Sequence, residues 1–281
     1  MIIKNLFVVF ALAITLFASP VDKQKDEFFN SLQSNDKQTD ETIKQIVSST
    51  YNIRAYKTNY FLPLSYRYGG TYENTNTHIP KDYETEFQFS FRYDITSDLM
   101  GLGEIYTLAY TQKSFWQLYV TSAYFRESNY EPEFFITFPS LFNSHKHGVK
   151  AISFAFTHES NGRGGAEERS WNRVSVSSVF QYKYLFTKVK LWTSWNSALE
   201  YNEDLLDYLG YGYVKFILPY KKHIFSLKVT TKGSLEANYS YPAFGRDDVF
   251  FYVKTYNGYG ESLIDYDHYV NKVGFGFSLS R

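Results

Sequence analysis

The sequence predicts an all-β protein in the form of a transmembrane antiparallel β-barrel of about 12 strands. Three observations predict this fold class. Tyr, Phe and Trp together make up 20% of the chain. Apolar and polar residues alternate over long runs, and a short apolar segment followed by small residues stands near the N-terminus. The aromatic content excludes disordered and collagen-like chains.

Charge and cysteine content exclude further classes of protein. The 29 Lys and Arg residues balance 29 Asp and Glu residues. A net charge of zero gives no electrostatic footprint for nucleic acid, so we expect no nucleic-acid partner. The chain contains no Cys, which excludes disulfide scaffolds, thiolate metal sites and cysteine nucleophiles.

Residues 1–18 are predicted to be a signal peptide. Lys4 precedes an apolar run over residues 6–17, and small residues follow from Ala18. This order is that of a secretory signal, and the run is shorter than the roughly 20 residues of a spanning helix. We expect cleavage after Ala18, and a retained anchor is the alternative. Residues 19–50 are rich in charged and amide side chains, so we expect a polar segment outside the core.

Residues 51–281 are predicted to form the barrel. In the run 82–95, odd positions from Tyr83 to Ile95 are apolar except Thr85, and even positions are polar. A strand of about 10 residues with one apolar and one polar face is the repeating unit of a transmembrane barrel. Comparable runs occur at residues 103–118, 133–138, 149–158, 171–185, 189–195, 211–218, 224–231, 249–256 and 270–279.

A soluble β-sandwich or a lipocalin-like carrier would show the same alternation. Two features favour the membrane. The runs exceed the usual strand length of about 5–6 residues, and Tyr and Phe dominate the apolar face, as aromatic girdles require. We assign Trp116, Trp192 and Trp195 to these girdles. Together with the signal peptide, the pattern predicts a bacterial outer membrane barrel.

Three polar residues interrupt the apolar outer face. Counting in twos along residues 149–158 places His158 on the apolar side, and Ser160 two residues further on the same side. The next strand places Asn172 outward together with Val174. A histidine facing lipid is costly, so its presence indicates a function.

These three residue types suit acyl transfer. The hydroxyl of Ser160 is unreactive until a base such as His158 accepts its proton. Asn172 can hold the second ring nitrogen, as the Asn does in Cys-His-Asn enzymes. We therefore predict a hydrolase whose catalytic residues lie on the outer wall.

The same residues resemble a known family. Residues 158–163 (HESNGR) and 169–173 (RSWNR) are similar to the catalytic signature of outer membrane phospholipase A, and residues 110–132 and 258–266 match further blocks of that family. The resemblance covers about residues 51–281. It implies a twelve-stranded barrel with its active site on the outer wall.

In that family's scheme, His158 is the general base, Ser160 the nucleophile and Asn172 the orienting residue. The resemblance also implies calcium-dependent hydrolysis of phospholipid acyl esters by a homodimer. Calcium and the backbone N–H of Gly162 would stabilise the oxyanion.

The calcium ligands implied by the resemblance come from two loops. They are the backbone carbonyl of Arg163, the side chain of Glu168 and, from the partner subunit, Ser122. The better-known family members carry a serine where this chain has Glu168. A carboxylate is nevertheless a good ligand for a hard cation.

Gln112 is expected at the dimer interface. It shares the apolar face of Leu108 and Tyr110, where an unpaired amide would be unfavourable and a second copy across a two-fold axis would satisfy it. A Gln at the interfacial rim near water is the alternative. The family uses its matching Gln at the dimer interface.

A second hypothesis from another class is a catalytically silent barrel that serves as a pore, adhesin or receptor. Charged side chains on the inner face and long loops would suit such a role. It leaves His158, Ser160 and Asn172 on one apolar face without explanation, so we favour the hydrolase.

Overall fold

The computed structural model describes residues 53–73, 79–139, 147–195 and 201–280, together with residues 36, 37 and 39. The predicted signal peptide at 1–18 lies outside the described residues, as does nearly all of the polar segment at 19–50. Both assignments remain predictions.

The described residues form one antiparallel sheet that closes on itself. From the second strand onwards, consecutive strands pair with each other, and the last strand pairs with the second to close a barrel of twelve. The strands are β1 (Ile53–Ala55), β2 (Tyr60–Gly70), β3 (Tyr83–Ser97), β4 (Ile105–Gln117), β5 (Tyr124–Pro139), β6 (His147–Ser160), β7 (Ser170–Tyr182), β8 (Leu185–Ser194), β9 (Gly212–Tyr220), β10 (His223–Thr230), β11 (Leu235–Pro242), β12 (Phe250–Gly258) and β13 (Val270–Ser278). The predicted antiparallel barrel is confirmed.

Helical structure is slight in the described part of the chain. A 3-10 turn covers Gly165–Glu167 between β6 and β7, and a five-residue helix, α1, covers Leu205–Leu209 between β8 and β9. Neither is long and apolar enough to cross a membrane.

The outer wall is apolar, as the alternation predicts. On β6, Phe154 is 54% exposed and Phe156 is 39% exposed, whereas Thr157, on the opposite face of the strand, is buried. The Thr157 hydroxyl donates to Glu133 inside the barrel, 2.7 Å away. An exposed apolar band of this kind faces lipid in outer membrane barrels.

The interior is filled by buried ion pairs. Arg126 binds Glu84 (Nε–Oε2 2.8 Å) and also pairs with Asp265. Lys272 binds Glu84 at 2.8 Å and Glu86 at 3.1 Å. All five side chains are less than 3% exposed. Each charge lies beside an opposite charge, which offsets the cost of removing it from water.

The segment between β1 and β2 adds two side chains to this interior. Tyr56 donates its hydroxyl to Glu133, and Lys57 pairs with Glu131. Arg173 of β7 pairs with the other oxygen of Glu131 at 2.6 Å. The residues between β1 and β2 therefore belong to no strand, and the side chains of Tyr56 and Lys57 reach into the barrel.

A small apolar cluster covers one end of the barrel, the end at which the loop between β6 and β7 lies. We call this end the site end. Its buried members are Trp171, Leu205, Leu263 and Tyr266, and Trp192 packs against them. Trp192 also donates its Nε1–H to the carbonyl of Gly210 at 2.9 Å. Its assignment to a lipid-facing girdle is therefore wrong.

Candidate active site

His158 and Asn172 form a hydrogen-bonded pair on the outer wall. They stand opposite each other in the β6–β7 ladder, and His158 Nδ1 lies 2.8 Å from Asn172 Oδ1. Because an amide oxygen only accepts hydrogen bonds, Nδ1 carries the proton of the neutral imidazole. The other ring nitrogen, Nε2, is then left as the base.

The direction of this pair follows from its strand neighbours. Phe156 and Val174 are exposed on the outer wall, and they lie two residues from His158 and Asn172 on the same face. Arg173, between Asn172 and Val174, instead pairs with Glu159 inside the barrel at 2.6 Å. The two polar side chains therefore face outward, as the alternation predicts.

Ser160 is the last residue of β6 and shares this outer face. Its Oγ accepts a hydrogen bond from the backbone N–H of Gly162 at 3.0 Å. Within the described contacts, no hydrogen bond joins Ser160 to His158. The structure thus pairs His158 with Asn172 and places Ser160 about 7 Å further along the strand, turned toward Gly162.

Gly162 has a backbone conformation that suits glycine. Its φ is +66°, and a Cβ at this position would lie 3.2 Å from the ring of Tyr130. Tyr130 is the β5 residue paired with Ser160. A glycine is therefore needed to aim this N–H at the serine hydroxyl.

The loop from 161 to 169 holds two of the expected calcium ligands. The side chain of Arg163 is bound by Glu127 (Nε–Oε2 3.2 Å), by Glu167 and by the carbonyl of Arg126. The carboxylate of Glu167 is thus occupied. The carboxylate of the half-exposed Glu168 accepts no hydrogen bond or ion pair from any described residue.

These donors suit a hard cation. A backbone carbonyl at Arg163 and a carboxylate at Glu168 are the oxygen ligands that calcium prefers. Ser122 is exposed in the loop between β4 and β5. No hydrogen bond between described residues joins Ser122 to Arg163 or Glu168.

Asn161 lies in this loop, and the alternation of apolar and polar residues does not identify it as a candidate site residue. It is 4% exposed. Its Oδ1 accepts from the backbone N–H groups of Arg163 at 3.2 Å and Arg169 at 3.0 Å, and its Nδ2 donates to the carbonyl of Glu167 at 2.8 Å. The Asn-Gly pair at a strand end is the one sequence signal that could have indicated it, since such pairs mark structured turns.

Gln112 lies in the same cross-strand row as the serine. It pairs with Tyr130 on β5, which in turn pairs with Ser160 on β6. Its amide has partners within the chain, because Tyr110 donates to Oε1 at 3.3 Å and Nε2 donates to Ser114 at 3.2 Å. These two hydrogen bonds within one chain leave the expected place of Gln112 at a dimer interface a prediction.

The loop between β12 and β13 braces the site from inside. Its Tyr266 donates a hydrogen bond to Asp204 at 2.5 Å. Burial, reinforced by that carboxylate, raises the pKa of Tyr266 well above its usual range. Tyr266 therefore stays a neutral donor while it packs beside Trp171, the residue next to Asn172.

A small pocket within the barrel is lined by residues that include Thr58, Lys215 and Tyr252. None of the candidate site residues lines it. His158, Ser160 and Asn172 instead lie partly exposed on the outer wall.

Comparison with known proteins gives a consistent picture. Residues 35–279 match the family model of phospholipase A1. Over 214 residues the chain is 34% identical to the phospholipase A1 of Proteus vulgaris. The aligned region covers 74% of this chain and 73% of that protein.

Two solved structures share the fold and more than a quarter of the residues. The outer membrane phospholipase of Salmonella typhi, a dimer with bound calcium, superposes with a TM-score of 0.77 at 28% identity and covers 92% of this chain and 98% of its own. An outer membrane phospholipase A from Escherichia coli, with an asparagine-to-alanine mutation in its active site, gives a TM-score of 0.74 at 27% identity, with coverage of 92% and 98%.

Proposed function

The chain belongs to the phospholipase A1 family, and on this basis we propose that Ser160, His158 and Asn172 carry its hydrolysis of phospholipid acyl esters. It is a phospholipase and a β-barrel protein of the bacterial outer membrane. The proposal concerns which residues act, their need for calcium and their activation by dimerisation.

One observation carries the assignment of residues. The hydrogen bond between His158 Nδ1 and Asn172 Oδ1 orients the imidazole on the outer wall, and in the neutral ring it leaves Nε2 as the acceptor. Asn172 orients the ring without adding a negative charge, and a neutral side chain is less costly to place beside lipid. The active-site asparagine mutated in the Escherichia coli relative supports such a role.

The reaction follows from the chemistry of these side chains. As the Ser160 hydroxyl rotates toward His158, Nε2 accepts its proton and Oγ attacks the ester carbonyl carbon. The tetrahedral intermediate collapses, and His158 returns the proton to the departing lysophospholipid alcohol. Water, deprotonated by His158, then attacks the acyl-serine ester, which releases the fatty acid and restores Ser160.

The backbone N–H of Gly162 is proposed to assist this step. It lies 3.0 Å from Ser160 Oγ, so it is close to where the carbonyl oxygen becomes negative. Preorganised donors at that position lower the barrier to acyl transfer.

Calcium is proposed as the second source of positive charge. Arg163, through its carbonyl, and Glu168, through its carboxylate, would hold the ion together with Ser122 from the partner subunit. When bound, calcium would supply positive charge that stabilises the oxyanion. The calcium-bound dimer of the Salmonella typhi relative supports this part of the proposal.

Dimerisation is proposed on the face that carries Gln112. That residue, Tyr130 and Ser160 form one cross-strand row, so a second copy docked on Gln112 would lie beside the nucleophile. Dimerisation would then complete both the ion site and a groove for the acyl chain. The filled interior, in which Glu84 and Arg126 are no more than 1% exposed, argues against a pore.

Covalent labelling tests the nucleophile. We expect a sulfonyl fluoride with a long alkyl chain to modify Ser160, as peptide mapping would show, and Ser160→Ala to lose calcium-dependent release of fatty acid from phospholipid micelles. Undiminished release by Ser160→Ala would remove this residue from its role. If the wild type released fatty acid equally with and without calcium, calcium alone would be removed from the proposed mechanism.

A further inference from the structure

The loop between β6 and β7 joins the proposed nucleophile, the proposed oxyanion donor and two of the three proposed calcium ligands. Ser160 ends β6, Gly162 supplies the N–H, and Arg163 and Glu168 supply the proposed calcium donors. A loop of this length has no repeating hydrogen bonds of its own, so something must fix the distance between its two halves.

The side chain of Asn161 bridges the two halves. It reaches across the loop and binds three backbone groups, at Arg163, Glu167 and Arg169. Its own backbone N–H also donates to the carbonyl of Arg169 at 3.0 Å. Both polar atoms of the amide are used, and the residue is 4% exposed.

The three contacts surround the proposed ligands. One fixes the backbone N–H of Arg163, and the other two fix the groups on either side of Glu168, namely the carbonyl of Glu167 and the N–H of Arg169. Gly162, whose N–H points at Ser160, lies between Asn161 and Arg163. The amide therefore ties together the backbone beside both proposed calcium donors, at Arg163 and at Glu168.

We infer that Asn161 is a positioning residue that preorganises the calcium-binding loop. The inference rests on the proposed function, because it concerns the same ion. A loop held in its binding geometry loses less conformational freedom when the ion binds, so the ion binds more tightly.

The chemistry of the contacts selects an asparagine. Oδ1 must accept two N–H groups while Nδ2 donates to a carbonyl, and asparagine has both functions on a short side chain. Asp would keep the acceptor but would place a second oxygen against the carbonyl of Glu167. Ala would lose all three hydrogen bonds.

The test compares Asn161→Ala, Asn161→Asp and Asn202→Ala in the full-length protein in detergent micelles. Asn202 is a matched control, because it is 2% exposed and its side-chain amide also binds backbone groups, those of Ser170. It touches neither Arg163 nor Glu168. Fatty-acid release is measured against calcium concentration, and trypsin cleavage after Arg163 and Arg169 is measured without calcium.

We expect Asn161→Ala to need about tenfold more calcium for half-maximal activity, since a net hydrogen bond is worth about that factor in a binding equilibrium. Its kcat at saturating calcium should fall less than threefold. Trypsin should cut its loop faster than that of the wild type. Asn161→Asp should lie between wild type and Asn161→Ala, and Asn202→Ala should keep the wild-type calcium requirement.

Two outcomes would overturn the inference while leaving the proposed function intact. One is a calcium-dependent wild type whose midpoint Asn161→Ala does not shift. The other is a loss of activity that is equal at all calcium concentrations. If wild-type hydrolysis does not respond to calcium at all, the proposed function fails in that part and the inference fails with it.

Discussion

His158 Nδ1 lies 2.8 Å from Asn172 Oδ1, and the two residues face each other directly across the β6–β7 ladder. The ladder therefore fixes both ends of this hydrogen bond. Asn172 is held further by the residue that follows β8, since its carbonyl accepts from the backbone N–H of Trp195 at 2.9 Å. The base of the proposed reaction is oriented by the sheet itself.

The first prediction concerns Asn172. We expect Asn172→Ala to lower kcat on the order of 10²-fold with little change in KM, because an imidazole without its orienting acceptor loses part of its advantage as a general base. Steady-state kinetics on phospholipid micelles would measure it.

Asn257→Ala is the matched control. This outward amide of β12 accepts a hydrogen bond from Tyr269 at 3.0 Å and is remote from the proposed trio. We expect it to keep the wild-type kcat. Equal kinetics of Asn172→Ala and wild type would show that His158 needs no orienting partner.

The second prediction concerns Gly162. Gly162→Ala places a Cβ at φ +66° and 3.2 Å from Tyr130, so either the N–H turns away from Ser160 or the ring moves. We expect kcat to fall at least about tenfold, as a weakened oxyanion donor requires. The calcium requirement should change less.

Gly164→Ala provides a control in the same loop. Gly164 has φ −124°, and nothing lies within 4 Å of a Cβ built there. We expect this variant to resemble the wild type. If both variants lost activity to the same extent, the conformation of Gly162 would have no special part in the reaction.

The third prediction concerns the ion. Glu168→Ala should raise the calcium concentration for half-maximal activity at least about tenfold, because it removes the proposed carboxylate ligand. Glu168→Ser should restore part of the affinity, since its hydroxyl supplies a neutral oxygen in place of the carboxylate. Excess chelator should silence the wild type.

Glu203→Ala, at an exposed position in the loop between β8 and β9, controls for the loss of a negative charge. Its calcium titration should match that of the wild type. A titration of Glu168→Ala that overlays the wild type would exclude this carboxylate as a ligand.

The fourth prediction concerns stability. Arg126→Met leaves Glu84 and Asp265 buried without this partner, so we expect the free energy of unfolding in urea to fall by about 3–5 kcal/mol. Arg246→Ala breaks an exposed pair with Asp248, in which both side chains are more than 60% exposed, and should leave the stability unchanged. Equal unfolding curves for the two variants would mean that the interior pairs contribute nothing net.

Alternation in twos predicted most of the fold and the direction of the candidate site. It predicted a barrel of about the observed number of strands. It also predicted that His158, Ser160 and Asn172 face outward, because side chains on a strand alternate between two faces. It could not say which side chains meet across strands or under loops.

The wrong assignment of Trp192 and the contacts that alternation missed have that origin. Trp192 lies in a strand whose side chains alternate regularly, yet it packs on Trp171 in the apolar cluster that covers the site end of the barrel. Gln112 faces outward as predicted, but its partners Tyr110 and Ser114 come from the same face of its own strand. Asn161 lies in a loop, where no periodicity exists to assign it a role.

Lys272 of β13 neutralises two carboxylates of β3, Glu84 and Glu86, at the seam where the final strand meets the first part of the barrel. Until that last strand arrives, both carboxylates lack this lysine, and desolvating them in that state is costly. Pairing of β13 with β2 therefore relieves an electrostatic cost inside the barrel, in addition to adding the backbone hydrogen bonds that close the sheet.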